Sequence, residues 1–352
     1  MDMKVLGLLR GNSQSDRLRL KLPFYVNATA GHPWRWIQQE REDLLEVLYS
    51  ESAILVLERF YVTPSNLPDT LSLVTGRDSK LVIFDTDDDF TSVAPLNPAS
   101  GMITEDVVEG TKKLIAACHA VTSTTPYLAA RLANINRRSY VLPNCLDMRH
   151  WNKIYAMPRE EGPLRIGWFG SESHQEDLEI LEEVWPVVAR LRPQVKFVLG
   201  GSWTFLLERK LGNRMESMGW VSLEEYPGIV HHIDIGCLPL QDTEFNRTKS
   251  NLKWLEFGAL GIPCVASPVG PYAMLRGEVD VLHARNKKQW VQGLLRLIDD
   301  TELRRRIGMN ARDVVVSKYD IRNRATLWLH TYEKVWHEVF PLAQYRPYGV
   351  WV

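Results

Sequence analysis

Cysteine is scarce in this 352-residue chain. Cys118, Cys145, Cys237 and Cys264 are scattered with no CxxC spacing, so neither a zinc cluster nor a disulfide framework is expected, and a reducing cytoplasm is the compartment that fits. Also missing is any apolar run near the roughly 18 residues of a membrane span, and the opening "MDMKVLGLLRGNSQSD" has no signal-peptide layout. Membrane contact is therefore expected to be peripheral at most. Charge of one sign is absent as well: 42 lysines and arginines face 43 aspartates and glutamates. That balance makes nucleic acid a disfavoured partner, because coating a duplex needs a surplus of cations. No tandem repeat, low-complexity tract or long charge run interrupts the chain. With 45% hydrophobic and 24% charged residues, the composition is that of a soluble globular protein. The length exceeds one ordinary core and predicts about two domains with a cleft between them.

Short apolar runs recur through the first half: residues 4–9, "AILVLERF" (53–60), "KLVIFD" (80–85), "CHAVTS" (118–123) and "SYVLPN" (139–144). They read as buried strands. Helical patterns lie between them, such as 104–118, where Thr104 is placed to cap and Val107, Val108, Leu114 and Ile115 form an apolar stripe. The alternation lapses over "CLDMRHWNKIYAMPREEGPL" and restarts at "LRIGWFG" (164–170). Two α/β units follow, each Rossmann-like and doubly wound on a parallel sheet, facing one another across a cleft. The expected divisions are an N-terminal unit at 1–150, a linker at 151–163, a second unit at 164–320 and a C-terminal helical segment, 321–352, packing back across both. Trp328, Leu329, Tyr332, Val335 and Trp336 give that last segment an aromatic side that something must cover.

In open parallel sheets ligands bind at the carboxyl ends of the strands. In "LRIGWFGSESHQEDLEIL" a strand ends in Gly170 and Ser171, and a helix begins near His174. Amides there can approach an anion beside a helix N-terminus, though a plain strand-to-helix turn has the same pattern. "TEFNRTKSNLKWLEFGALGIPCVAS" (243–267) places Arg247 and Lys249 before a helix that Ser250 is expected to cap. Cations crowded at a helix N-terminus repel its dipole unless an anion sits among them, and a diphosphate satisfies that demand. Glu256, further along the same helix, is placed to accept ribose hydroxyl protons. A solvated helix start with routine surface charges remains the alternative.

On "GWFGSESHQEDL", "GWVSLEEYPGIVHHIDIGCLPL" and above all "KSNLKWLEFGALGIPCVASPVG", residues 164–320 resemble the donor-binding domain of retaining GT-B glycosyltransferases of the family 4 type, the group 1 glycosyl transferases. In the first half only "VTSTTPYLAARLANINRRSYVLPNCLD" and "VIFDTDDDF" share in it. The resemblance implies a nucleotide-sugar donor as co-substrate and no resident cofactor. It places Gly170, Ser171, Lys249, Ser250 and Asn251 around the diphosphate, Trp220 and Val221 beside the nucleobase, and Glu256 on the ribose. Three departures stand out. The first glutamate of the E-x7-E motif falls on Thr248, the usual arginine and lysine after the first strand of this domain are missing, and Cys145 replaces a glycine. Arg247 and Lys249 are therefore expected to supply the cationic charge, with Glu244 a stand-in for the missing glutamate and His174 orienting the glycine loop.

The run Asp85, Asp87, Asp88 and Asp89 packs four carboxylates into five residues. They have the oxygen ligands for Mg²⁺ or Mn²⁺. The run belongs to the N-terminal unit while the donor signature belongs to the second, so Asp85, Asp87 and Asp88 are expected on the acceptor side, with no metal. One aspartate capping the next segment while the others are solvated is the plainer alternative. "DRLRLKLPFY" and "HPWRWIQ" interleave basic and aromatic residues; amphipathic surface is the expectation, and contact with anionic lipid or nucleic acid the alternative. The expected activity is hexose transfer from a nucleotide sugar to an acceptor hydroxyl. Lipid-linked sugars and modified nucleic-acid bases are open as acceptors, and a non-catalytic nucleotide-sugar-binding or scaffold protein is the rival reading.

Overall fold

The structure is a computed structural model that describes residues 3–9, 13–38, 53–65, 67–75, 80–92, 103–157, 162–201 and 205–341. Two six-stranded sheets, every pairing parallel, divide the chain. The first contains β1 (Val5–Leu9), β2 (Trp34–Gln38), β3 (Ile54–Glu58), β4 (Leu81–Thr86), β5 (Ala120–Ser123) and β6 (Ser139–Val141), in the order β2-β1-β3-β4-β5-β6. The second contains β7 (Arg165–Gly170), β8 (Lys196–Gly201), β9 (Met215–Met218), β10 (Ile235–Leu238), β11 (Cys264–Ala266) and β12 (Leu282–His283), in the order β12-β11-β10-β7-β8-β9. Both orders reverse direction once, at β1/β3 and at β7/β10. Such switch points open a crevice at the carboxyl edge of a sheet. Helices cover both faces of each sheet, so β3 and β4 are buried along their whole length, which is why they read as continuous apolar runs.

Thr104 caps the helix Glu105–Ala117 by accepting from the Val107 amide, as its position predicts. "HPWRWIQ" is different from its expectation. It is the edge strand β2, with Trp34 stacked on Tyr332 at 5.4 Å. "DRLRLKLPFY" is likewise internal: the chain is helical from Gln14 to Thr29 through a π turn at Arg17–Lys21, and Leu18, Arg19, Leu20 and Phe24 are buried.

The chain crosses between the units twice at one place. The Leu146 amide donates to Tyr319 and the Ile321 amide to Leu146, so Met148 and Trp151, on the helix Met148–Tyr155, belong to the second core. Of the expected linker, residues 158–161 lie outside the described residues. After the second crossing, Trp328, Tyr332, Val335 and Trp336 of the helix Thr326–Val339 pack with Val5, Trp34, Ile54 and Ile83. The aromatic side of the last helix is covered by the N-terminal sheet.

Candidate functional site

A pocket of about 220 Å³ opens at the carboxyl ends of β7, β8 and β9. Its floor is glycine for a steric reason. A Cβ on Gly201, whose φ is +86°, lies 2.2 Å from the Gly170 carbonyl oxygen, and one on Gly170 lies 2.5 Å from the Trp168 ring. The helix Leu252–Ala259 forms the opposite wall with Leu252, Lys253 and Glu256, while Trp220 and Val221 close the outer side. Trp220 is 73% exposed, a large apolar face left bare at a pocket mouth. Through Gln14, Ser171 and Trp220 this pocket joins an 890 Å³ cleft that reaches Arg59 and Asp87 on the N-terminal unit.

Lys249 is buried, with its Nζ 4.6 Å from the Phe245 ring centre and 3.5 Å from His174 Nε2. Burial and the neighbouring Lys249 and Lys253 push the His174 imidazole well below its ordinary value. The neutral ring donates through Nδ1 to Asp177 Oδ2 at 2.8 Å and turns Nε2 to the lysine. His174 makes no side-chain cap on the helix Gln175–Leu191; it is held between Asp177 and Lys249. Asp177 also accepts from the Gln241 amide at 2.7 Å and Asn246 Nδ2 at 2.8 Å, tying the β10 exit to the same point. Burial raises its carboxyl to about 6. Lys253, four residues beyond Lys249, has its ammonium lowered by burial, with Glu256 opposing and Lys249 adding to the fall. Among the described residues neither lysine has a carboxylate within ion-pair distance. Two such cations near an amide-lined pocket leave room for an anion.

Glu256 faces them one turn on. Tyr226 donates to it at 2.9 Å, and Gln14 Nε2 of the other unit at 3.3 Å. Burial pushes its carboxyl to about 7, with Lys253 opposing.

Arg247 lies elsewhere than expected. Residues Glu244–Thr248 form their own short helix capped by Thr243, and Arg247 leaves it toward solvent, bound to Asp242 at 2.8 Å and Glu244 at 3.5 Å. Lys253 stands in the pocket instead. The available signal was its i, i+3 spacing with Glu256, which puts both on one helix face. Ser250 does not cap either; Asn251 occupies the N-cap without a side-chain bond, and Ser250 Oγ accepts from Asn144 Nδ2 across the units at 3.1 Å. Glu244 bonds Tyr127 and Arg131 of the N-terminal unit rather than facing the pocket. Thr248, at the missing glutamate, is buried and donates to the Phe245 carbonyl.

The four aspartates of the run go four different ways. Asp85 is fully buried and grips Arg19 with both oxygens, 2.9 and 2.7 Å, and accepts from Thr122 at 2.6 Å. Arg19 also donates to the Leu142 carbonyl. A carboxylate so occupied joins the opening helix to β4; it is not at the cleft. Asp89 binds Arg131 and caps Thr91 and Ser92. Asp87 lines the cleft with Arg59, whose Nη1 is 3.7 Å away. Asp88 has its carboxyl raised: burial pushes it up, Lys249 of the other unit counters, and Asp87 adds to the rise. Among the described residues no three His, Cys, Asp or Glu side chains gather as a metal site.

Glu58, beside Asp85 in register, and Arg59 escaped the sequence reading, although charged residues ending the apolar run "AILVLERF" were a signal. Arg59 has φ +43°, a conformation rarely kept by a side-chain-bearing residue unless its surroundings hold it. Its guanidinium reaches Glu58 at 3.1 Å and Ser13 Oγ at 3.1 Å. Among the described residues no helix is long and apolar enough to cross a membrane.

Two doubly wound units opposed across a glycine-floored, lysine-bearing pocket define the GT-B architecture. Residues 163–300, which carry the pocket's glycines and Lys253, match the family model for Glycosyl transferases group 1, bearing out the resemblance to group 1 glycosyl transferases over that stretch. Solved structures share the fold of nearly the whole chain. Sucrose-phosphate synthase from Thermosynechococcus elongatus superposes with a TM-score of 0.70 at 15% identity, over 95% of this chain and 100% of that one. The Anabaena protein HepE, in complex with UDP and glucose, gives 0.67 at 14% identity over 94% and 100%. The Escherichia coli structure of trehalose-6-phosphate bound with UDP-2-fluoro glucose gives 0.59 at 13% over 82% and 74%. No curated protein matches the chain by sequence.

Proposed function

We propose that this chain is a glycosyltransferase that moves a hexose from a nucleoside-diphosphate sugar to an acceptor hydroxyl, with retention at the anomeric carbon and without a metal. The observation that carries the reading is the pair Lys249 and Lys253: Lys253 lines the pocket with Gly170 and Ser171, Lys249 lies buried against His174, and among the described residues neither forms an ion pair. The family match and the UDP-bearing neighbours agree with it. In this arrangement the diphosphate lies against Gly170, Ser171 and the Ser250–Asn251 turn. Trp220 and Val221 take the base, and Glu256 accepts from the ribose. As the anomeric carbon–phosphate oxygen bond breaks, the two lysines stabilise the growing charge on the diphosphate. The acceptor oxygen bonds to the anomeric carbon on the face the diphosphate leaves, and its proton passes to the departing diphosphate oxygen, with Asp87 and Asp88 holding the acceptor in line. Arg247 takes no part; Asp242 already neutralises it.

The test is calorimetry and thermal shift with UDP-, GDP-, ADP-, CDP- and dTDP-sugars, since a ligand selective for the native state raises stability. One nucleotide should bind, and Lys253→Met should weaken it by about 1.5–3 kcal/mol, the worth of a charged hydrogen bond. Transfer should survive EDTA. Binding of none of these nucleotides would reject the reading, and binding without turnover would favour the scaffold alternative.

A further inference from the structure

We propose that Arg131 is a positioning residue, the centre of a latch that holds the acceptor carboxylates of one unit in register with the phosphate lysines of the other. Its guanidinium joins the two halves of the molecule. Nε donates to Asp89 Oδ2 at 2.7 Å, and Nη1 to Glu244 Oε1 at 2.6 Å. Asp89 belongs to the N-terminal unit and is fixed by three further bonds, from the Thr91 amide and the Thr91 and Ser92 hydroxyls, at 2.6–2.9 Å. Glu244 belongs to the second unit and opens the short helix that ends at Lys249.

The helix Pro126–Leu132 makes this contact with three side chains. Arg131 and Tyr127, whose hydroxyl donates to Glu244 at 2.8 Å, grip the start of the Glu244–Thr248 helix. Thr125, the N-cap, donates to the Thr248 carbonyl at its end. Both ends of the segment before Lys249 are thus held by the opposite unit. On the N-terminal side, Asp88 precedes the gripped Asp89 by one residue. Asp88 and Lys249 therefore each adjoin an anchor of the same latch. A rotation of one unit against the other separates them only by breaking it.

The ion pair is itself half-exposed, with side-chain exposures of 34% for Arg131 and 37% for Glu244. Pairs of that exposure hold weakly and are screened by salt. That makes the latch reversible, so the cleft can open for exchange of ligands. The assignment rests on the proposed reaction only in what the closed register is for; the latch itself is a geometric claim.

Two readouts keep these apart. Small-angle scattering of the full chain without nucleotide should show a larger radius of gyration for Arg131→Met and for Glu244→Gln than for the unaltered protein. The double variant should be no larger than either single one. In the second readout, release of glucose from UDP-glucose should fall about tenfold in both variants while the dissociation constant for UDP stays within about twofold. Arg131→Lys should restore part of the rate. Unchanged dimensions in Glu244→Gln, an exposed substitution that spares folding, would overturn the latch, as would additive losses in the double variant. Binding of none of the five nucleotides by the unaltered protein rejects the glycosyl-transfer reading instead, and the scattering result still decides the latch.

Discussion

Glu256 concentrates the chemistry of single residues. It sits on an eight-residue helix whose other buried positions are apolar, and loss of water raises its carboxyl to about 7 despite Lys253, Tyr226 and Gln14. Because the value is raised, the neutral form is favoured by folding: its stability contribution is full below the ordinary carboxylate range and is lost as pH rises through about 7. Under the proposed function nucleotide binding runs the other way, since the ionised carboxylate is the better acceptor for ribose hydroxyls. UDP affinity measured by calorimetry should therefore increase from pH 6 to 8. Part of that rise belongs to the diphosphate's own ionisation, so Glu256→Gln should show a shallower slope. Identical slopes would remove Glu256 from the nucleotide. Arg19 and Asp85 make the opposite point, for a charged pair with all its oxygens satisfied is a structural joint even at the end of a strand facing a cleft.

Among the elements, the ends of β7 and β8 govern the pocket. They run in register, Gly170 beside Gly201, and the positive φ of Gly201 lets the second strand turn away while its backbone touches the first. Gly201→Ala places a Cβ into the Gly170 carbonyl and an unfavourable backbone region together. The conformational strain alone is worth about 1–3 kcal/mol. The variant should melt measurably lower in a thermal scan and bind UDP less well; melting and binding like the unaltered protein would mean the strand ends do not pack this way. The helix Glu244–Thr248 shows how an element can mislead. Charges at 244, 247, 249 and 253 look continuous in sequence, but the break at Lys249 restarts the helical phase. Arg247 goes outward and Lys253 inward.

At the scale of the whole molecule, the last helix does not belong to the unit that precedes it. Trp328, Tyr332 and Trp336 are buried among β1, β2 and β3, so the N-terminal core is completed only when the end of the chain arrives. Trp336→Ala should cost about 3–5 kcal/mol, as large aromatic truncations in cores do, read as a lower urea midpoint of circular dichroism. An unchanged midpoint would place the helix outside the core. At the doubled crossing of Leu146 and Asp320, among the described residues, the two covalent links between the units run side by side.

The sequence by itself determined the two α/β units, the strand-end location of the glycine turn, and the pairing of Lys249 with Glu256 on one stretch. Each depends on periodicity within a few residues, and apolar runs, glycines and caps act locally. Only the tertiary structure decided which charges are partners. Nothing near Asp85 in sequence announces Arg19, and nothing near Glu244 announces Arg131. The β2 strand was concealed for a related reason: at the sheet edge it buries only Trp34 and Ile37 of its five residues, so "HPWRWIQ" looks amphipathic until Trp34 meets Tyr332 from a distant helix. Partner choice between distant segments depends on how the two sheets face each other, and a one-dimensional pattern does not carry that geometry.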